Sequence, residues 1–314
     1  MRNLDADRLA ELLDYPSLID RLNQAFQGGC TVPLRHHHDV AVPGGNDGTL
    51  LLMPAWKEGG VMGVKIATVF PGNGAKGLES VMASYLLLDG STGSPLALAE
   101  GRTLTARRTA AASALAASKL ACKEARSLMI VGTGRLASEL IAAHRAVRPI
   151  DNVAVWGRTG HKAASLAARL DTPECRVKAV TNLPCALREA DIISCATLAT
   201  EPLVLGNWLC PGQHLDLVGG FKPTMREADD DAVLRATLFV DTRAGACHEA
   251  GDIADPMERG VIDEADIAAE LVELCRGDHP GRQSDDEITL FKSVGTALED
   301  LAAAELAYER DQDQ

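Results

Sequence analysis

Hydrophobic and polar positions follow two regimes along this chain, and the change comes after its first third. Two amphipathic stretches open it, Asp5 to Asp14 and Ser17 to Gln27. Pro16 stands at the favoured first turn of the second, and Gly28-Gly29 ends it. Short apolar runs of strand character follow: Leu50-Leu51-Leu52-Met53, Val61 to Val69 and Tyr85-Leu86-Leu87-Leu88. Gly, Pro, Asn and Asp clusters part them, and Asp89 to Pro95 has the composition of a turn. This part predicts an antiparallel or mixed α+β unit. An Ala-dense helix from about Thr103 to Cys122 then bridges to the second regime, since alanine combines high helix propensity with close approach. From Ser127 onward, apolar strands alternate with helices: Leu128 to Val131, Val153 to Trp156, Asp191 to Ser194, His214 to Val218 and Leu238 to Asp241. Such alternation predicts a parallel sheet covered on both faces. Ile288 to Glu309 closes the chain as a short strand and a long helix.

The chemistry begins at the first strand of the second regime. Gly132-Thr133-Gly134-Arg135-Leu136-Ala137 is a GxGxxA turn that follows an apolar strand and opens a helix. Gly132 permits the tight turn, Gly134 lets the backbone approach a pyrophosphate, and Ala137 permits close helix–strand packing. An α/β fold with a Rossmann-type domain binding a nicotinamide dinucleotide is therefore expected. One strand later, NAD sites place a carboxylate against the ribose 2′-hydroxyl. Here the stretch reads Trp156-Gly157-Arg158-Thr159-Gly160-His161-Lys162, with no carboxylate. A guanidinium binds a 2′-phosphate that a carboxylate would repel, so NADPH is expected ahead of NADH.

Composition narrows the partners. A net charge of -13 argues against binding along a phosphate backbone, so no nucleic-acid partner is expected. A small anion needs only a few local cations. The candidates are Lys65 inside an apolar run, sharing a face with Gly63 and Ala67, Arg107 and Arg108 early in the Ala-rich helix, and Arg35. His36-His37-His38 is expected in a loop and not as a metal site, because adjacent residues point to opposite sides of an element. The eight cysteines show no CxxC and no zinc-ligand spacing. They read as reduced, mostly buried thiols of a cytoplasmic protein. Met1 to Asp5 lacks the apolar region of a signal peptide, and no apolar run is long enough for a membrane span.

Several segments, in this order, carry a resemblance to the ornithine cyclodeaminase/μ-crystallin family over nearly the whole length. They are Leu51 to Pro54, Gly63-Val64-Lys65, Leu104 to Ala111, the GxGxxA turn, Val218-Gly219-Gly220, and Ile288 to Gly295 with Glu299-Asp300. The resemblance implies residues 1–115 with 293–314 as a substrate-binding domain that forms a homodimer, and 116–292 as the Rossmann domain. It implies that Lys65 and Arg108 hold a substrate carboxylate, assisted by Arg35. Ser80 would lie near the nicotinamide, where it or a water it orders is the candidate proton donor. Thr197, Val218 and Gly219 would line the cofactor, and Ser293, Val294 and Gly295 would close the site around nicotinamide and substrate.

Two departures from the family pattern redirect the activity. Ornithine cyclodeaminases have an acidic residue three positions before the Pro of the Met-Pro pair, and an Asp after the Val-Gly-Gly turn. This chain has Leu51 and Phe221 there. A substrate ammonium beside Leu and Phe would be unpaired and poorly solvated, at a cost of several kcal/mol. The branch without these carboxylates resembles the cyclic imine (ketimine) reductases. That implies reduction of Δ1-pyrroline-2-carboxylate and/or Δ1-piperideine-2-carboxylate to L-proline or L-pipecolate. Ornithine cyclodeamination, amino acid dehydrogenation and a non-catalytic crystallin-like role are the alternatives.

Overall fold

The computed structural model describes residues 1–313. In chain order its elements are β1 (Arg2–Leu4), α1 (Ala6–Leu12), α2 (Tyr15–Gly28), β2 (His36–Val40), β3 (Gly48–Trp56), β4 (Val61–Val69), β5 (Val81–Asp89), β6 (Pro95–Glu100) and α3 (Gly101–Leu120). They continue with β7 (Ser127–Val131), α4 (Arg135–Val147), β8 (Asn152–Trp156), α5 (Gly160–Leu170), β9 (Arg176–Ala179), α6 (Leu183–Arg188), β10 (Ile192–Cys195) and β11 (His214–Leu217). The last are α7 (Asp230–Arg235), β12 (Thr237–Val240), α8 (Arg243–Glu249), α9 (Gly251–Glu258), β13 (Ile267–Glu270), α10 (Leu271–Arg276), β14 (Thr289–Lys292) and α11 (Ala297–Gln312). Short 3-10 turns punctuate them.

The chain divides into two units, residues 1–108 with 296 onward, and residues 109–295. The first division falls inside α3, after Arg108, and not at 115/116. α3 runs on as one helix, so nothing in its composition marks the change. The second falls after Gly295 and not after 292, because the backbone of Ser293 to Gly295 is tied to β11 and to Asp241 of the second unit.

In the first unit a mixed six-stranded sheet runs β1-β6-β5-β4-β3-β2, with β1 parallel to β6 and the remaining pairs antiparallel. Alternation in β4 buries Gly63, Lys65 and Ala67 on one face. Met53, Ala55, Tyr85 and Leu87 share that face through the strand register. α11 packs against β3, β4 and β5. It is buried at almost every position from Ala297 to Ala307, as its Ala- and Leu-rich sequence requires. The opposite face stays open. Leu52, Pro54, Val64, Leu86 and Leu98 are half-buried, and Ile66 and Met82 are each 40% exposed. The three histidines stand on β2, an exposed edge strand paired to β3, and not in a loop. Polar alternation on a solvent edge hides such a strand from hydrophobic periodicity.

The second unit is an eight-stranded, wholly parallel sheet ordered β13-β12-β14-β11-β10-β7-β8-β9. The connections run one way from β7 through β8 to β9, and the other way through β10 and β11. The reversal between β7 and β10 opens the crevice at the carboxyl ends where such sheets bind ligands. No helix among the described residues is long and apolar enough to cross a membrane. All eight cysteines are free thiols, but only Cys175, Cys195 and Cys275 are buried, so the expectation of mostly buried thiols fails. Of the others, Cys30, Cys122 and Cys210 lie in loops and Cys185 and Cys247 on short helices.

Candidate active site

The GxGxxA turn links β7 to α4 at that reversal. Gly132 has φ of +132°, and a Cβ there would sit 2.6 Å from the Ala196 carbonyl oxygen, so only glycine fits the turn. Gly134 is the N-cap of α4, with no side-chain cap and open space where a Cβ would be. The first N–H groups of α4 are thus uncapped in an open cradle, the arrangement that receives a pyrophosphate. Ala137 is buried against the sheet. A cavity of about 320 Å³ adjoins the turn, lined among others by Thr133, Gly157, Arg158, Thr197 and Leu198. Gly157 lets Thr133 pack close, since a Cβ would meet the Thr133 methyl at 2.6 Å. Arg158 is exposed and makes no hydrogen bond or ion pair among the described residues. Thr159 is the N-cap residue of α5. Arg135 and Leu136 begin α4, with Arg135 exposed to solvent and Leu136 partly buried. A dinucleotide fits this donor set, and Gly132 to Ala137 with Thr197 would hold it.

Around that turn, a set of carboxylates fixes the loops. Glu227 accepts from the Thr197 N–H at 2.7 Å, the Thr197 hydroxyl at 2.8 Å and the Gly219 N–H at 2.7 Å. Val218 and Gly219 follow β11, and a Cβ on Gly219 would sit 2.1 Å from the Thr197 carbonyl oxygen. Asp241 accepts from the N–H groups of Val294 and Gly295 at 2.7 and 2.6 Å. Ser293 is buried just before them. Burial pushes the carboxyl groups of Glu227 and Asp241 up from their ordinary range.

The cations of the first unit converge. Lys65 and Arg108 are each 5% exposed. Asp300 of α11 bridges them, with Oδ2 2.7 Å from Lys65 Nζ and Oδ1 accepting from Arg108 Nε at 2.9 Å. Glu299 accepts from Arg108 Nη1 at 2.7 Å. Burial lowers the Lys65 ammonium to about 8, with Asp300 opposing the shift and the charges of Arg108 and Arg35 adding to it. Arg35 is half-buried just before β2, close enough for its charge to act on Lys65. Arg107 instead donates to the Leu13 carbonyl and stacks on Tyr15, an architectural role. Leu51 lies on the Lys65 face, opposite Ala67, and is half-buried.

Ser80 is not brought to this cluster. It is exposed, its carbonyl accepts from Phe70 N–H, and it precedes β5 by one residue. Tyr85 of β5 is the residue that pairs with Lys65. Five residues of strand separate Ser80 from that pairing, roughly 17 Å at ordinary strand rise. Phe221 is 44% exposed in the second unit, with Lys222 over its ring. The anchors that sequence reading missed are Glu227 and Asp241, while Glu299 and Asp300 carried the family resemblance without an assigned role. For Asp300 and Asp241 the visible signal was an acidic residue beside an apolar run, where a charge survives only if partnered; Glu227 stands in the charged run Arg226 to Asp231 and gave none.

A wholly parallel doubly wound sheet with this turn at its switch point defines a dinucleotide-binding oxidoreductase fold. The ornithine cyclodeaminase/mu-crystallin family model matches residues 8–314, and the chain belongs to that family. It is 41% identical to Delta(1)-pyrroline-2-carboxylate reductase of Paracoccus denitrificans, over 94% of this chain and 95% of that one. Among solved structures it resembles Thermococcus litoralis Delta(1)-pyrroline-2-carboxylate reductase in complex with NADH and L-proline. The TM-score is 0.92 at 38% identity, covering 100% of this chain and 98% of the other. An archaeal alanine dehydrogenase dimer with bound NAD also aligns, with TM-score 0.92, 29% identity, and coverage of 100% and 96%.

Proposed function

We propose that the chain is an NADPH-dependent reductase of cyclic imino acids, converting Δ1-pyrroline-2-carboxylate and/or Δ1-piperideine-2-carboxylate to L-proline or L-pipecolate. The observation that carries this reading is the buried Lys65–Asp300–Arg108 cluster with Leu51, not a carboxylate, on the same sheet face. When bound, the dinucleotide supplies the hydride. Lys65 and Arg108 grip the substrate carboxylate with the N–H groups that Asp300 and Glu299 leave over, and Arg35 assists. Asp300 holds both cations in one geometry, so little ordering remains to be done when substrate arrives. Neither Leu51 nor Phe221 carries a charge that could pair a distal ammonium. The relatives named above support the reaction class.

The test is a steady-state panel of both imines with NADPH and NADH, alongside ornithine and pyruvate plus ammonia. Imine reduction that outpaces the other reactions supports the reading. Ammonia release from ornithine, or alanine formation as the main activity, overturns it.

Preference for NADPH rests on Arg158 and Thr159 at the end of β8 with no carboxylate beside them. Arg158→Gln should raise KM for NADPH at least tenfold, about the worth of one charge-assisted phosphate contact, and leave KM for NADH within twofold. Equal effects on both cofactors would remove Arg158 from the phosphate site.

The working form in this reading is a cytoplasmic homodimer. The free thiols fit a reducing compartment. The open apolar face of the first sheet is the surface a second copy would cover. Light scattering should return about twice the 33.2 kDa of one chain. Ile66→Asp with Met82→Asp, both at exposed positions of that face, should give monomers.

A further inference from the structure

Lys292 ends β14 and is fully buried. Its Nζ stands 3.4 Å from Asp252 Oδ2 and has no hydrogen-bond partner among the described residues. A Cβ on Gly220 would come within 3.4 Å of that Nζ and 2.8 Å of that oxygen, so the Val218–Gly220 turn rests directly on the pair. The Lys292 charge also reaches Glu227 and Asp241. Each of the three carboxylates holds backbone. Asp252 accepts from the N–H groups of Glu227 and Ala228, at 2.7 and 3.0 Å. Glu227 in turn holds Thr197 and Gly219, and Asp241 holds Val294 and Gly295. One buried lysine among three buried carboxylates offers them the opposite charge that burial otherwise denies, which favours their charge-assisted bonds to backbone.

We propose that Lys292 is a positioning residue whose charge keeps these carboxylates clamped on the loops of Thr197, Gly219 and Val294–Gly295, and so shapes the nicotinamide end of the dinucleotide site. The proposal rests on the reading of those loops as lining that end. Among the described residues, Gly132 to Gly134 and Arg158 accept or donate no hydrogen bond to the clamp carboxylates, and of the clamped loops only that of Thr197 reaches the cavity they line. Loss of the ammonium should therefore weaken the site selectively.

Two titrations of the full chain test this, in wild type and Lys292→Met: NADPH, and 2′-phospho-ADP-ribose, which is the same ligand without nicotinamide. NADH and ADP-ribose serve as the matched pair without the phosphate. In Lys292→Met the Kd for the complete dinucleotide should rise at least tenfold, while that for the truncated ligand stays within twofold. Equal weakening of both, or of neither, overturns the proposal. If Lys292→Met does not fold, Asp241→Asn decides the matter, because it keeps the lysine and frees only one loop; the same selective loss is expected there, and its absence overturns the clamp. Neither titration needs turnover. A wild type that reduces no imine therefore defeats the functional reading and leaves this proposal standing, whereas a Lys292→Met protein that binds NADPH normally does the reverse.

Discussion

Arg108→Ala should lower kcat/KM for the imine by about two to three orders of magnitude and lower the melting temperature with it. Arg108 is buried and donates to two carboxylates that are themselves fully buried, Glu299 and Asp300. Removing one partner of a buried ion pair costs about 3–5 kcal/mol, because the charge left behind has neither water nor partner. That cost falls on the folded state. A separate loss of about 3–4 kcal/mol falls on the bound substrate, whose carboxylate loses its bidentate donor, and at about 1.4 kcal/mol per tenfold this gives the stated range. The two effects part in Arg108→Lys. An ammonium restores the charge but not the planar fork that spans both carboxylates, so stability should recover further than kcat/KM. Cofactor affinity should stay near wild type in both variants, since the dinucleotide turn lies in the other unit. A folded Arg108→Ala enzyme with nearly normal kcat/KM would place the carboxylate grip elsewhere.

How much of this was readable in the sequence depends on whether the information was local. Strand β4 is legible as the apolar run Val61–Val69 between turn-forming residues, and alternation sets Lys65 on the face with Gly63 and Ala67. The GxGxxA turn was readable because each of its small residues answers a local backbone requirement. β2 was missed because its residues are histidines on an exposed edge, and β1, β6, β9 and β13 because short, Ala-rich or polar runs carry little periodic signal. Burial of Lys65 could be argued only halfway: periodicity names a face but not what covers it. Its partner is Asp300, and the guanidinium beside it pairs with that same carboxylate across 192 residues of chain. No spacing rule spans such a distance. The Lys292 clamp was hidden for the same reason, since Glu227, Asp241, Asp252 and Lys292 meet only once the parallel sheet brings its carboxyl ends together.

Asp300→Asn should cut kcat/KM at neutral pH by at least tenfold and move its alkaline limb to lower pH. In wild type the Lys65 ammonium loses its proton at about 8, because burial and the neighbouring charges of Arg108 and Arg35 oppose the charged form while Asp300 supports it. The charged form is the one that can hold a carboxylate, so kcat/KM should decline as pH rises through about 8. An asparagine keeps one acceptor oxygen but not the negative charge, so the support for the ammonium falls and the limb shifts down by about one unit, the size of a single nearby charge partly screened. Stability should respond with the opposite sign. The folded-state value of Lys65 lies below its ordinary 10.5, so between about 8 and 10.5 the unfolded chain binds more protons, and this group makes the native state gain stability as pH rises. Asp300, held below the ordinary carboxylate range by Arg108 and Lys65 against the pull of burial, contributes stability that is present above 3.8 and is lost as pH falls below it. Asp300→Asn should erase that acid dependence while widening the alkaline one. An alkaline limb that stays in place in Asp300→Asn, with kcat/KM reduced, would mean that Lys65 is not the titrating group and that Asp300 acts only by orienting Arg108.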